Sequence, residues 1–357
     1  MKPIVNIQFL RAVAALAVMF YHFSLQYQSI NPGQAHGFFD LFNLIGYAGV
    51  DFFFVISGYI MWVTTKRAST QSPVLNFAFK RFSRIYLGYW PYFLLALLIL
   101  YFYPQLKPAN ANMWGSFFLT EPDTTHLLIQ VAWTLQYELY FYVLFGLLML
   151  LPSKHKLNAV WAIVALIIVY QIASRFSSTH SHSDFTAVDF LLSPYCLEFF
   201  AGCLLGRFFQ TQRCNHFWPL LLGLALLATA VYYQAHVLQQ SLISQQHVIL
   251  RVCFFGSAAA LIMAALIELE KRGQVLLKHL SLILGGASYS IYLSHTIFIA
   301  LTIALGWHSW VQNNSQSPGL WVGLFMLLTV VYSVVHYLLI EKPLMAMSNH
   351  IKQRLFH

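Results

Sequence analysis

Apolar residues in this chain come in long runs broken by short polar stretches, a pattern that neither a half-exposed helix nor an alternating strand produces. Runs near the 20 residues needed to cross a hydrocarbon core fall at approximately 7–27, 43–64, 85–104, 128–151, 157–174, 188–208, 216–234, 247–267, 283–305 and 319–341. The pattern predicts an all-α, polytopic membrane bundle of about ten transmembrane helices. The polar stretches test the count, because each missed or invented helix would reverse the charge bias of every later loop. The connections 65–84, 152–156, 209–215 and 268–282 hold Lys66, Arg67, Lys80, Arg81, Lys154, Lys156, Arg213, Lys271, Arg272 and Lys278. The connections 28–42, 105–127, 175–187, 235–246 and 306–318 hold only Lys107 and Arg175. The bias alternates from end to end and, with Lys2 at the start and Lys342, Lys352 and Arg354 at the end, predicts that both termini are cytoplasmic.

Composition agrees with this reading. Of the 357 residues 59% are hydrophobic and only 9% charged, which excludes a soluble globular domain. The net charge of +9 does not indicate nucleic acid as a partner, since the basic residues sit in short loops between apolar runs and form no stripe. Cys196, Cys203, Cys214 and Cys253 lack metal-ligand or disulfide spacing and read as packing residues. The first apolar run follows Lys2 as a signal peptide would, but it contains Arg11 and no convincing small-residue cleavage site, so it reads as a retained helix. Residues 1–345 are expected to form one membrane domain and 346–357 a short basic cytoplasmic tail. His180, His182 and Asp184 in the polar loop at 177–184 have no further ligands at fixed spacing, so the loop reads as solvated and no metal is expected.

Candidate chemistry lies in polar residues inside the apolar runs. Arg11 and His22 are eleven residues apart, about three helical turns, which puts them on one side of the first helix with Cα atoms on the order of 16 Å apart. Arg11 is predicted near the cytoplasmic face and His22 towards the outer one. For Arg11 a snorkelling anchor and a functional group are equally open readings. Asp51, in the second run, is predicted at a depth similar to that of His22, either to hold the imidazole in one tautomer or as a helix-entry cap. Arg81 and Arg84 share a helix face and have the forked donors that grip phosphate, although positive-inside anchoring also explains them. A carboxylate facing lipid is costly, so Glu138 should face the bundle interior. Glu198 precedes Gly202 and Gly206, whose spacing permits close helix contact, and Arg251 is a buried cation without an evident partner. Ser288, Tyr292 and His295, in LGGASYSIYLSH, read as a cavity wall, while Glu341 and Pro343 close the last run in IEKP.

Taken in order, Arg11 with His22, GVDFFFVISGY, the Arg81 and Arg84 pair, Trp133 to Glu138 as WTLQYE, LGGASYSIYLSH and the terminal EKP resemble the acyltransferase-3 family of integral membrane O-acyltransferases. The resemblance runs from residue 7 to about 343. It implies transfer of an acyl group, commonly acetyl, from cytoplasmic acyl-CoA to a hydroxyl of an exported or surface glycan, such as an exopolysaccharide or O-antigen, free or lipid-linked. It places such a chain in the bacterial inner membrane, in contact with lipid. It further implies that Arg11 and His22 are essential and that Arg81 and Arg84 serve the CoA end, holding its phosphates while the pantetheine arm passes beside Arg11. Joined to the residue reading, it makes His22 a general base or transient acyl carrier, with Asp51 or Glu138 orienting it. Ser288, Tyr292 and His295 would then stand on the substrate side. Two departures are visible: Leu87 and Gly88 stand where relatives usually carry a proline before the Tyr-Trp pair, and no fused hydrolase-like domain is present. A competing reading takes the same buried Arg, His and Glu as the pathway of a transporter or flippase, and a weaker one makes the chain a scaffold for polysaccharide export. No inverted repeats support the transporter. The identity of the acceptor and the oligomeric state are not legible in the sequence.

Overall fold

The computed structural model describes residues 4–34, 37–65, 72–176, 186–314 and 317–356. Among these, all regular elements are helices. Nine are long and apolar enough to cross a membrane: α1 (Val5–Ile30), α2 (Gly37–Thr65), α3 (Pro73–Phe102), α4 (Gln130–Leu150), α5 (Ser153–Ser174), α6 (Ala187–Phe208), α7 (Phe217–Leu238), α8 (Val248–Lys271) and α11 (Pro318–Phe356). A tenth crossing is made by α9 (Lys278–Gly286) and α10 (Ser288–Ala304), bent by 56°. Each predicted run thus has its helix, and the chain is a multi-pass membrane protein. The loop at 177–184, with His180, His182 and Asp184, lies outside the described residues, as do Lys2, Lys66 and Arg67.

The centre of the bundle is α1, which packs against α2, α8, α9, α10 and α11. Its first amides have no partners within the helix, and a carboxylate from another span accepts them: Val5 N–H and Asn6 N–H donate to the two oxygens of Glu270 at 2.8 and 2.7 Å. This ties the start of α1 to the end of α8. At the periphery α5 and α7 expose large apolar side chains such as Leu166, Val169, Leu221 and Leu224, as lipid-facing helices do.

The tightest crossing joins α2 to α6. A Cβ at Gly58 would meet the carbonyl of Phe199, and one at Gly202 the carbonyl of Val55, so the two backbones touch where neither residue has a side chain. Around this crossing a buried aromatic cluster of Phe54, Phe141, Phe199 and Tyr195 locks α4 to the pair, with Phe141 and Phe199 stacked at 4.5 Å.

One connection departs from the expected outer loop. The stretch 105–127 folds back against the middle of α3, where Tyr86 and Tyr89 hydroxyls donate to the carbonyls of Phe118 and Ser116 at 2.8 and 2.9 Å and the Trp90 indole donates to Phe117 at 3.2 Å. The Tyr-Trp pair is therefore a clamp for this segment. Gly88 leaves room for the ring of Tyr289, whose hydroxyl donates to the Ile85 carbonyl at 2.9 Å. The residues expected as a basic tail continue the last helix through Phe356, whose ring lies 6.0 Å from that of Phe79 on α3.

Candidate active site: three cavities in series

Three cavities follow one another along the bundle, and neighbours share wall residues. The first, about 380 Å³, opens at the end bearing the N-terminus and the basic loops, hereafter the basic end. The second is a waist of about 120 Å³. The third, about 1020 Å³, lies at the opposite end. Arg11, Ile60, Arg81 and Arg84 belong to the walls of both the first and the second. Val50 and Tyr292 belong to those of the second and the third.

His22 lies in the wall of the wide far cavity, as its position three turns along α1 from Arg11 requires. Its Nδ1 is 2.9 Å from the carbonyl oxygen of Val18 and 3.2 Å from Nε2 of His295. Nδ1 of His295 in turn lies 3.1 Å from the Ile291 carbonyl oxygen. Carbonyl oxygens only accept, so in the neutral pair each Nδ1 carries the proton and His295 Nε2 faces His22 with a lone pair. Nε2 of His22 then keeps its own lone pair and has no partner among the described residues, which is the state a general base needs. The break at Ala287 makes this pairing possible, because it turns α10 so that His295, fully buried, stands against α1.

The expected contact between Asp51 and His22 is not made. Asp51 is wholly buried and both its oxygens are held by Arg251, with Nε at 3.0 and 3.1 Å and a terminal nitrogen at 2.7 Å. The guanidinium fork matches the carboxylate plane, so Asp51 is committed to the partner that the sequence left unassigned for Arg251. Tyr47 completes the enclosure, its carbonyl accepting from Arg251 at 3.2 Å. Glu198 lies beside this pair against Gly256. Glu138 also stands elsewhere than expected, in the wall of the waist, where it accepts the Tyr142 hydroxyl at 2.5 Å in the company of Arg11, Arg81 and Arg84.

The three arginines differ in their bonding. Arg84 pairs with buried Glu341 at 3.0 Å, and Ser290 donates to the other oxygen of that carboxylate at 2.9 Å. Arg81 donates to the Thr64 hydroxyl at 2.9 Å and lies over the rings of Phe77 and Tyr142. Arg11 makes no hydrogen bond or ion pair with another described residue and faces both the first cavity and the waist. Of the residues expected on the substrate side, Ser288 lines the waist and donates across the break to the Gly285 carbonyl at the end of α9, 2.8 Å away. Tyr292 stands between waist and far cavity, donating to Val131 at 3.0 Å and accepting from Thr134 at 2.9 Å.

Sequence reasoning missed the pairing of His22 with His295 and that of Arg84 with Glu341. In each case the partners lie at matching depth on spans far apart in the chain, and that depth was the available signal. The far cavity also takes wall residues from the folded-back segment, among them Thr120, Glu121 and Asp123, together with Trp133, Gln136 and Tyr137.

Comparison with known proteins bears on these residues. The family model described as an acyltransferase domain matches residues 4–338. The chain is 30% identical over 321 residues to the exopolysaccharide production protein ExoZ of Rhizobium meliloti (strain 1021), covering 84% of this chain and 90% of that one. It is 26% identical over 374 residues to nodulation protein 10 of Rhizobium leguminosarum bv. viciae, covering 98% of this chain and 95% of that one. No solved structure matches.

Proposed function

We propose, from the premise that this chain belongs to the acyltransferase-3 family of membrane acyltransferases, that it carries an acyl group from cytoplasmic acyl-CoA through the bundle to a hydroxyl of a surface or exported glycan. The observation that supports this reading best is the order of the cavities: a cationic chamber, a narrow waist and a wide polar chamber, with Arg11 at one end of the series and the His22 and His295 pair at the other.

A nucleotide head is anionic and bulky, and the pantetheine arm behind it is thin. The basic-end chamber suits the head and the waist suits the arm. The far chamber lies at the upper limit of the size range of ordinary ligand sites and combines aromatic walls with carboxylate, amide and hydroxyl groups, which suits the apolar faces and hydroxyls of a sugar. The name of ExoZ points to a polysaccharide acceptor in the same direction. In the step we favour, Nε2 of His22 takes the proton of the acceptor hydroxyl and its oxygen attacks the thioester carbonyl. The C–S bond breaks, the acyl group leaves as an ester, and the CoA thiolate takes a proton. Tyr292 and Thr134, whose hydroxyls bond one another where waist and far chamber meet, stand nearest the path of the thioester. The acyl group is taken to be acetyl and the membrane the bacterial inner membrane.

The test uses membranes containing the protein, acetyl-CoA labelled in the acetyl group, and an isolated surface glycan. We expect label in the glycan as alkali-labile ester, and an NMR comparison of surface glycan from cells with and without the gene should show the missing O-acetyl signals. Unchanged O-acetyl content together with no consumption of acetyl-CoA would overturn the reading and favour the transporter.

A further inference from the structure

We infer that the C-terminal helical segment Lys342–Phe356 forms part of the donor site, with Lys352 binding a phosphate of the acyl-CoA nucleotide. The inference rests on the donor reading above and adds an element beyond it, since the family match ends at residue 338.

The basic-end chamber is walled on one side by Met345, Ser348, Asn349 and Lys352. Their spacing of three, one and three residues is that of a single helix face, so this segment turns one continuous stripe towards the chamber. The stripe is held there by packing of the segment on α3, where the rings of Phe356 and Phe79 meet. Arg354, on the same segment, is exposed and lies outside the chamber wall.

Charge identifies the ligand. Among the described residues, Arg11, Lys80, Arg81, Arg84 and Lys352 line the chamber, and no carboxylate does. Of these, Arg84 is neutralised by Glu341 and Arg81 is bonded to Thr64. Lys80 and Lys352 make no ion pair or hydrogen bond with another described residue. Two ammonium groups line one opening whose deeper wall is also cationic. Uncompensated like charges are unfavourable unless an anion joins them, and a polyphosphate meets that requirement with several negative oxygens. Lysine at the mouth provides a mobile point charge for the phosphates, while the fixed arginine forks lie deeper, towards the pantetheine.

The experiment compares acyl-CoA with the matching acyl-pantetheine, which lacks the nucleotide, as donors for the full-length protein in nanodiscs. With Lys352→Ala, KM for acyl-CoA should rise about tenfold with kcat unchanged, as loss of one charge-assisted contact implies. Activity with acyl-pantetheine should not change, and Lys352→Arg should restore most of the acyl-CoA affinity. Arg354→Ala should leave both donors unaffected. An unchanged KM in Lys352→Ala overturns the inference, and so does an equal loss with both donors, which would mean a bracing role. The same rise in Arg354→Ala would assign the effect to general surface charge and overturn it too. If the unaltered protein uses neither donor, the underlying acyl-transfer reading falls and takes the inference with it.

Discussion

The proton placement on His22 is set by two backbone carbonyls and a second imidazole. Val18 fixes one nitrogen as donor, and His295, itself fixed by Ile291, faces the same nitrogen. Replacing His22 with Ala should lower transfer by roughly 10²- to 10⁴-fold, the range for loss of a general base, while CoA still binds the protein. Steady-state rates alongside CoA titration check this, and full activity with normal expression would remove His22 from the mechanism. His295→Phe keeps ring volume but loses the acceptor, so kcat should fall while KM for acyl-CoA stays. If KM moves and kcat does not, His295 belongs to donor binding instead. The Asp51 and Arg251 pair is a stability matter, because both side chains are almost completely buried. Arg251→Met strands a carboxylate and should cost about 3–5 kcal/mol, seen as an earlier thermal transition, whereas Arg251→Met with Asp51→Leu should recover much of it. Equal stability of the single and double variants would contradict that account. The sequence marked both Asp51 and Arg251 as buried charges but not as mates, since pairing residues 200 apart needs knowledge of which spans adjoin. The Asp51 to His22 expectation failed for that reason: α1 and α2 do adjoin, but a third span supplies Arg251, which takes both oxygens of Asp51.

At the scale of elements, the crossing of α2 and α6 depends on two missing side chains. Gly58→Ala and Gly202→Ala each place a methyl group against a carbonyl of the facing helix, too close for the two backbones to keep their present separation. Each should destabilise the protein by about 1–3 kcal/mol, measured as a lower unfolding temperature in detergent, with His22 chemistry intact in the folded fraction. A transition unmoved by both changes would show that the helices can separate freely. The spacing of Gly202 and Gly206 announced a contact in the sequence, because small residues four apart make a groove. Gly58 did not, since it is a single glycine in an aromatic run. The ten spans were legible from hydropathy and loop charge alone. The return of 105–127 into the bundle was not, because polar and aromatic residues in a loop of that length look the same whether they meet water or the hydroxyls of Tyr86 and Tyr89.

Across the whole molecule, charge is graded along the cavity series. Among the described residues the basic-end chamber has five cations in its wall and no acid, whereas the far chamber carries Glu121 and Asp123 beside Arg251, which is itself paired with Asp51. Donor affinity should therefore weaken as salt is raised, since screening acts within about 10 Å at 0.1 M ionic strength, while binding of a neutral glycan should change little. Initial rates at low and high salt, with each substrate varied in turn, decide this, and a salt-insensitive KM for acyl-CoA would deny the chamber an electrostatic role. The waist has one more consequence. Its roughly 120 Å³ is walled by Phe53, Phe54 and Ile56 as well as by guanidinium groups. The apolar side chains give a file of water few hydrogen-bonding partners, and three guanidinium groups against the one carboxylate of Glu138 repel protons and metal cations. The protein should therefore be electrically tight while it works, and sealed vesicles carrying it should hold a pH gradient as long as empty ones do. Under the acyl-transfer proposal, that tightness is what lets material from the interior reach the exterior without short-circuiting the membrane.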